Sequence, residues 1–342
     1  MSVRAAIIGF GGMGKRHLSA YQAAGIEVVA IADANPAQLE QAKAQAPLTR
    51  LYTDAEKLFS AEAKRLEIVS VVTNSPAHAA VTIQAARQRI PNILCEKPMA
   101  TNLRDARRMI DECQASGSRL AINYIRRWSK NHAELKRRLD AGLIGPLRHL
   151  YYQSGSTGLG NMGTVFFDAM RFYADSEAEW VMGFLDRTGT PNVRGPQFLD
   201  PGGYGMVHFR NGIRAFVDTS EDTGVRYVLH LVGAYGRVVI DELNNAWIIE
   251  ARPEPERQKP LTLYTAPMEP VPFRLIEPWD VAALTSQVQT ALVSGGPIAC
   301  DGATGFKALE LAMAFHASDQ RGHERLMLPL SNGAMNLDIP FA

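Results

Sequence analysis

The chain is poor in cysteine. Cys95, Cys113 and Cys300 stand far apart among 342 residues and form no C-x-x-C pair. Such spacing offers neither a disulfide framework nor a zinc site, so no metal is expected, and it reads as reduced thiols in a cytoplasmic protein. Net charge is almost absent too. Lys+Arg number 36 against 35 Asp+Glu, a formal balance of +1, which supplies no long-range pull toward nucleic acid or an acidic membrane. No apolar run approaches the roughly 20 residues of a membrane span. The N-terminus enters a strand directly, and no secretory signal is expected. Internal repeats and low-complexity segments are lacking. What remains is an ordinary globular composition, 46% hydrophobic and 21% charged. At this length, two domains are expected.

The most informative stretch comes first. The apolar run Ala5-Ala6-Ile7-Ile8 leads into Gly9-Phe10-Gly11-Gly12-Met13-Gly14, three glycines spaced G-x-G-x-x-G, and a helical pattern follows (Met13, Leu18, Tyr21). In such a strand-turn-helix the first glycine permits the tight turn. The second lets backbone approach a pyrophosphate, and the third lets helix pack close to strand. Free N–H groups at the helix start then favour a phosphate. A second strand, Glu27 to Ala32, ends in Asp33, about twenty residues beyond the last glycine, where a ribose-binding carboxylate belongs. Asp33 is followed by Ala34 and Asn35 and by no arginine, which favours NAD over NADP.

Further strands alternate with helices: Leu51-Tyr52, Ile68 to Val72, Asn92 to Cys95 and Leu120 to Tyr124. That alternation predicts an α/β domain, a doubly wound parallel sheet of Rossmann type over residues 1–123. Ligands of such sheets lie beyond the carboxyl ends of the strands. Asp33, Thr73-Asn74, Glu96-Lys97 and Asn123 all fall there and are expected to converge on one crevice. From 124 to 342 the pattern changes to period-two stretches, from Leu147–Gln153 through Trp247–Glu250, with an Asn211-Gly212 hairpin signal. Two closing helices begin near Trp279 and Gly302. This predicts an α+β substrate-binding and oligomerisation domain with an open, mostly antiparallel sheet.

The motifs together resemble the glucose-fructose oxidoreductase / inositol dehydrogenase (Gfo/Idh/MocA) family. The resemblance rests on the glycine turn, Asp33, Thr73-Asn74-Ser75-Pro76-Ala77-His78, Cys95-Glu96-Lys97-Pro98 and Tyr124-Ile125-Arg126-Arg127-Trp128. Farther along it includes Gly142-Leu143-Ile144-Gly145, the helix from Gly305 to Ser318 and Leu328-Pro329-Leu330. It implies NAD-dependent hydride transfer on a hydroxyl of a sugar, polyol or nucleotide sugar. Lys97 would be the central catalytic group, with Gly9 to Gly14, Asp33, Thr73, Asn74, His78, Glu96 and Lys97 around the cofactor. It also implies a Lys97-Pro98 bond that is often cis.

An ammonium at this point stabilises a developing alkoxide while hydride leaves carbon. Glu96 would orient Lys97 or bind ribose. His78 and His17 read better as structural than as chemical histidines. Arg126 and Arg127 follow a strand end, so either is a candidate for substrate hydroxyls or a phosphate, along with Asn123. Arg194 in a loop is a third basic candidate. The alternative is that these arginines pair with local carboxylates.

One element departs from the family. Its D-x-x-x-H-x-x-D segment corresponds here to Asn161-Met162-Gly163-Thr164-Val165-Phe166-Phe167-Asp168. Asp168 is kept as a catalytic candidate, and Asn161 and Val165 would face substrate. Valine carries no proton, so the usual relay cannot run unchanged. The connection before it, Ser154 to Gly160, is short and glycine-rich. Three readings follow. Lys97 handles the proton, with Tyr151, Tyr152, Tyr204 or His208 completing the site. Otherwise NAD serves transiently in isomerisation, epimerisation or elimination, or the protein binds dinucleotide and ligand without turnover. An open sheet with an uncovered face predicts a homodimer or homotetramer.

Overall fold

The computed structural model describes residues 2–155, 158–189, 192 and 194–341. Part of the Ser154–Gly160 connection, residues 156–157, therefore lies outside the described residues. The first half runs β1 (Arg4–Ile8), α1 (Gly12–Ala23), β2 (Glu27–Ala32), α2 (Pro36–Gln45), β3 (Arg50–Tyr52) and α3 (Ala55–Glu62). It continues with β4 (Ile68–Val71), α4 (Ser75–Arg87), β5 (Asn92–Cys95), α5 (Leu103–Ser116) and β6 (Arg119–Ile122). Side-chain caps start three of these helices. Asn35 accepts from the Ala37 N–H, Asp54 from Lys57 and Asn102 from Asp105, satisfying N–H groups that have no partner inside a helix.

These strands form a parallel six-stranded sheet in the order β3-β2-β1-β4-β5-β6. Every residue of β4 and β5 is buried, as a strand covered by helices on both faces requires. The chain winds outward in one direction from β1 and in the other from β4. The crevice beyond their carboxyl ends is thus the switch point of the sheet.

The second half carries α6 (Lys130–Asp140), β7 (Leu147–Gln153), a π-helical turn over Gly158–Gly163, α7 (Thr164–Ala174) and β8 (Ala178–Leu185). Then come β9 (Gly203–Phe209), β10 (Arg214–Asp218), β11 (Val228–Gly233), β12 (Gly236–Asp241), β13 (Ala246–Ala251) and β14 (Glu269–Pro270). Helices α8 (Val281–Val293) and α9 (Gly302–Gln320) and the short β15 (Leu326–Met327) follow. The nine-stranded sheet has the order β14-β13-β12-β11-β7-β10-β9-β8-β15. It is mixed. Its other pairs are antiparallel, but β7 and β10 run parallel at its centre, because α7 and the β8–β9 pair form the crossover that a parallel neighbour needs. Two-residue strands such as β14 and β15 are too short to show a period in sequence.

One face of this sheet is covered. Leu150 and Tyr152 of β7, Ala215 and Val217 of β10, and Leu229 and Leu231 of β11 point into the core. Helix α9 packs on β8 and also on α5 and β6, and its residues from Ala308 to Ala317 are buried on every side. An apolar pattern all round a helix suits such an interior position. Helix α8 returns to the first sheet beside α1, where Val288 and Leu292 join Ile7, Phe10, Leu18 and Tyr21 in one cluster. Among the described residues no helix is long and apolar enough to cross a membrane.

Candidate active site

A cleft of about 630 Å³ opens at the switch point. Gly11, Gly12 and Met13 line one end, with Thr73, Asn74 and Ser75 beside them. The geometry of the glycine turn accounts for its spacing. Gly9 has φ +97, and a Cβ there would lie 2.5 Å from the Val72 carbonyl oxygen. A Cβ on Gly14 would overlap the carbonyl oxygen of Gly9, whereas around Gly11 and Gly12 nothing lies within 4 Å. Two glycines are therefore consumed by packing, and the other two leave open space in front of the helix.

Gly11 caps α1 and Asn74 caps α4, neither with a side-chain hydrogen bond. The start of α1 thus presents backbone N–H groups and partial positive charge to the cleft, a setting that fits a pyrophosphate. At α4, by contrast, Pro76 carries no N–H and the Ala77 N–H donates to the Asn74 carbonyl oxygen at 3.0 Å. Asp33 follows β2, where its Oδ2 accepts the Phe10 N–H at 2.6 Å and its Oδ1 the Asn35 N–H at 2.8 Å. A carboxylate held this way keeps further lone pairs for ribose hydroxyls.

The other end of the cleft is built on the loop after β5. Glu96 is buried, and its Oε1 lies 2.8 Å from His17 Nε2 and accepts from Asn123 Nδ2 at 2.7 Å. His17 Nδ1 is 2.9 Å from Ser70 Oγ. Burial alone would raise the Glu96 pKa; His17, Lys97 and Asn123 outweigh it and hold the carboxyl at about 2. Next to it, the half-buried Lys97 donates from Nζ to Asn161 Oδ1 at 2.9 Å and to the Asn161 carbonyl oxygen at 3.2 Å. Burial pushes the ammonium down to about 8, with Arg194 and Arg126 acting the same way and Glu96 and Asp200 opposing. The Lys97-Pro98 bond is cis. A lysine titrating near neutrality is suited to both giving and taking a proton.

Facing Lys97 is a wall of apolar, aromatic and basic groups. Met162 and Val165 come from the π turn and α7, Phe198 from the loop before β9, Tyr227 from the start of β11, and Trp279 from the segment before α8. Arg126 and Arg194 are the arginines at this end. Arg126 is bound by Glu242 through Nε (2.7 Å to Oε1) and through Nη2. Its guanidinium lies 4.3 Å from the Phe166 ring centroid and 5.2 Å from that of Trp279. Glu242 in turn meets His132 Nε2 at 2.8 Å, and His132 Nδ1 is 2.6 Å from the Tyr173 hydroxyl. A planar cation between rings with a forked acid partner is rigid.

The structure brings together Gly11, Gly12, Met13, Thr73, Asn74, His78, Glu96, Lys97, Asn123, Arg126 and Val165 around one cleft. Asn161 joins them through Lys97. Other candidates sit elsewhere. The Phe10 ring is in the core. Arg127 donates to both oxygens of Asp168 at 2.9 and 2.8 Å, Arg171 reaches Asp168 at 3.3 Å, and neither Arg127 nor Asp168 lines the cleft. Arg126 and Arg127 therefore both have carboxylate partners.

The expectation that Tyr151, Tyr152, Tyr204 or His208 completes the site is corrected. None of the four lines the cleft. Tyr152 stacks on Phe166 under the sheet, while Tyr151 meets His230, Tyr204 stacks on Phe184 and His208 on Trp180 on the other face. Alternation along a strand separates these residues from the helix-covered side. His78 is buried, with Nδ1 2.8 Å from the Pro98 carbonyl oxygen and Nε2 2.9 Å from that of Thr73, so His78 links α4 to the Lys97 loop. Among the cleft residues missed in sequence, Gln197, Phe198, Tyr227 and Trp279 carry no local motif. Among the described residues no group of three or more His, Cys, Asp or Glu is placed to hold a metal ion.

A parallel sheet with a glycine turn at its switch point, joined to a large mixed sheet, defines a two-part α/β fold with a Rossmann-type first half. Residues 3–124 match the model of the GFO_IDH_MocA oxidoreductase family, with an NAD-binding Rossmann fold. It is 35% identical over 143 residues to the D-apiose dehydrogenase of Paraburkholderia graminis, covering 42% of this chain and 37% of that protein. To the inositol 2-dehydrogenase of Salmonella paratyphi B it is 34% identical over 154 residues, 42% of this chain and 44% of that one. The alignments thus span less than half the length of these relatives. An oxidoreductase from Agrobacterium radiobacter, solved with NAD+, L-tartaric acid and magnesium, superposes with TM-score 0.77 at 20% identity over 96% of this chain and 98% of that chain, a likeness of fold.

Proposed function

We propose that this chain is an NAD-dependent oxidoreductase acting on a CH–OH group of a sugar, polyol or nucleotide sugar, with Lys97 as the proton-handling residue. The observation that carries the reading is the Lys97 ammonium, lowered to about 8, in the same cleft as the open glycine turn. The turn and the start of α1 would hold the pyrophosphate, Asp33 the adenosine ribose, and Thr73 and Asn74 the path toward Lys97. A dinucleotide held there would supply the hydride acceptor for the carbon that bears the hydroxyl. Lys97 Nζ would take the hydroxyl proton as the C=O bond forms, so that carbon and oxygen together give up one hydride and one proton; reduction would run the same balance backwards. Glu96, fixed by His17 and Asn123, keeps the lysine in place. Asn123 Oδ1 is buried without a hydrogen-bond partner in the structure, which supports a place for it on a ligand donor. Val165 contributes an apolar wall, and Tyr227, Phe198 and Trp279 offer ring faces to a sugar.

The test mixes protein with NAD and a panel of polyols, sugars and nucleotide sugars while following reduced cofactor. Lys97→Ala is expected to lower kcat by about 10²–10⁴-fold, the usual worth of general acid–base catalysis, with NAD affinity unchanged. Equal rates in variant and parent would refute the role, and product without net NADH would mark an isomerase or lyase.

The same reading includes a homodimer or homotetramer through the uncovered face of the second sheet. Directly opposed residues Met182, Met206, Phe216, Tyr151, His230 and Val239 form a row across six strands there. Phe216→Asp would place a charge mid-row, and sedimentation is expected to show a smaller species than the parent.

A further inference from the structure

Val165 leaves Lys97 without the proton-bearing neighbour that the family resemblance implies, so its position depends on other groups. Lys97 Nζ donates to the side chain and the backbone carbonyl of Asn161, and Asn161 sits in the π turn Gly158–Gly163. Beneath that turn lies Asp200, on the segment before β9. Its Oδ1 accepts the Gly160 N–H at 2.7 Å and its Oδ2 the Asn161 N–H at 2.8 Å. The fit is close. Gly158 has φ +72, and a Cβ there would come within 2.7 Å of Asp200 Oδ1. The segment carrying Asp200 is itself tied down, since the Leu199 N–H donates to the Pro340 carbonyl oxygen at 3.0 Å. On another side, a Cβ on Gly160 would overlap the ring of the fully buried Phe341.

We propose that Asp200 is the positioning residue for Lys97: its two backbone hydrogen bonds fix the turn that presents Asn161 to the ammonium, and its charge favours the protonated lysine. The inference rests on the reading that Lys97 handles the proton. Asp200 does not itself line the cleft, and acts on Lys97 through Asn161 and through its field. The charged groups facing Lys97 are Glu96 and Asp200, which favour the ammonium, and Arg194 and Arg126, which disfavour it along with burial. Burial pushes the Asp200 carboxyl up to about 6, against the Gly160 and Asn161 N–H groups, Lys97 and Arg194. It is therefore anionic in the range where Lys97 titrates.

Asp200→Asn keeps size and one acceptor while removing the charge. The direct measurement is the pH dependence of Lys97 modification by an amine-reactive reagent, read by mass spectrometry of the Lys97 peptide with no substrate present. The midpoint is expected to fall by about half a unit or more, since an opposite charge nearby favours the charged form. NAD affinity is expected to stay unchanged. Where turnover is measurable, the acid limb of kcat/KM moves the same way, a shift that general structural damage does not produce. If Asp200→Asn does not fold, Asp200→Ser, smaller and able to accept one N–H, replaces it. An unmoved Lys97 midpoint in either folded variant overturns the proposal. A fallen midpoint in a protein that oxidises nothing supports Asp200 and sinks the functional reading; turnover that depends on Lys97 with an unmoved midpoint does the reverse.

Discussion

The two ends of the cleft are made in different ways. At the glycine-turn end the chain offers mainly backbone: Gly11, Gly12 and Met13 open α1, Thr73 to Ser75 open α4, and their groups come from two short contiguous stretches. At the Lys97 end the groups are side chains from distant parts of the sequence. Lys97 meets Asn161, Arg126 meets Glu242 across 116 residues, and Trp279 lies over Arg126. Backbone N–H groups at a helix start recognise a phosphate whatever the rest of the ligand is. Side chains gathered by tertiary structure recognise one ligand in particular, and changing one of them alters neighbours rather than a motif.

That contrast is open to attack, most strongly at the side-chain end. Glu242→Ala would leave Arg126 buried without its acid partner, and His132 Nε2 without the carboxylate it meets. Breaking such a buried pair costs about 3–5 kcal/mol, which chemical denaturation of the variant measures. Retained stability would mean that the Arg126 network does not depend on its acid. At the backbone end, Gly14→Ala forces a Cβ against the Gly9 carbonyl oxygen. Overpacking of this kind costs about 1–3 kcal/mol. NAD titration is expected to show weakened binding together with lowered stability, because turn and helix must separate. A variant with full NAD affinity would break the assignment of this end. The smallest effect is pH. Oxidation requires the neutral lysine, so its rate is expected to rise with pH through a midpoint near the Lys97 value of about 8. In the reducing direction the ammonium is the active form and the limb falls instead. A profile flat across this range would remove Lys97 from the proton step.

The first sheet was legible in the sequence because each of its signals is local. A strand followed by G-x-G-x-x-G and β-branched runs such as Ile68 to Val71 each report their element within a few residues. The longer strands of the second sheet were legible one by one, from alternation, and the two-residue β14 and β15 were not. Strand order was not legible either: the parallel β7–β10 pair joins strands separated by a helix and two other strands. Which tyrosine or histidine faced the cleft was also hidden, since alternation gives two faces and does not say which is covered. Tyr151, Tyr204 and His208 belong to the other face.

By itself the sequence determined a dinucleotide-binding half, with Gly9 to Gly14, Asp33 and Glu96-Lys97 at strand ends, because backbone geometry and strand polarity follow from adjacent residues. Only the tertiary structure decided how Lys97 is held. His17 reaches Glu96 from the first helix, Asn161 receives the ammonium, and Asp200 lies beneath Asn161. Those partners lie tens of residues from Lys97, where no local pattern relates them and only packing brings them within hydrogen-bond distance.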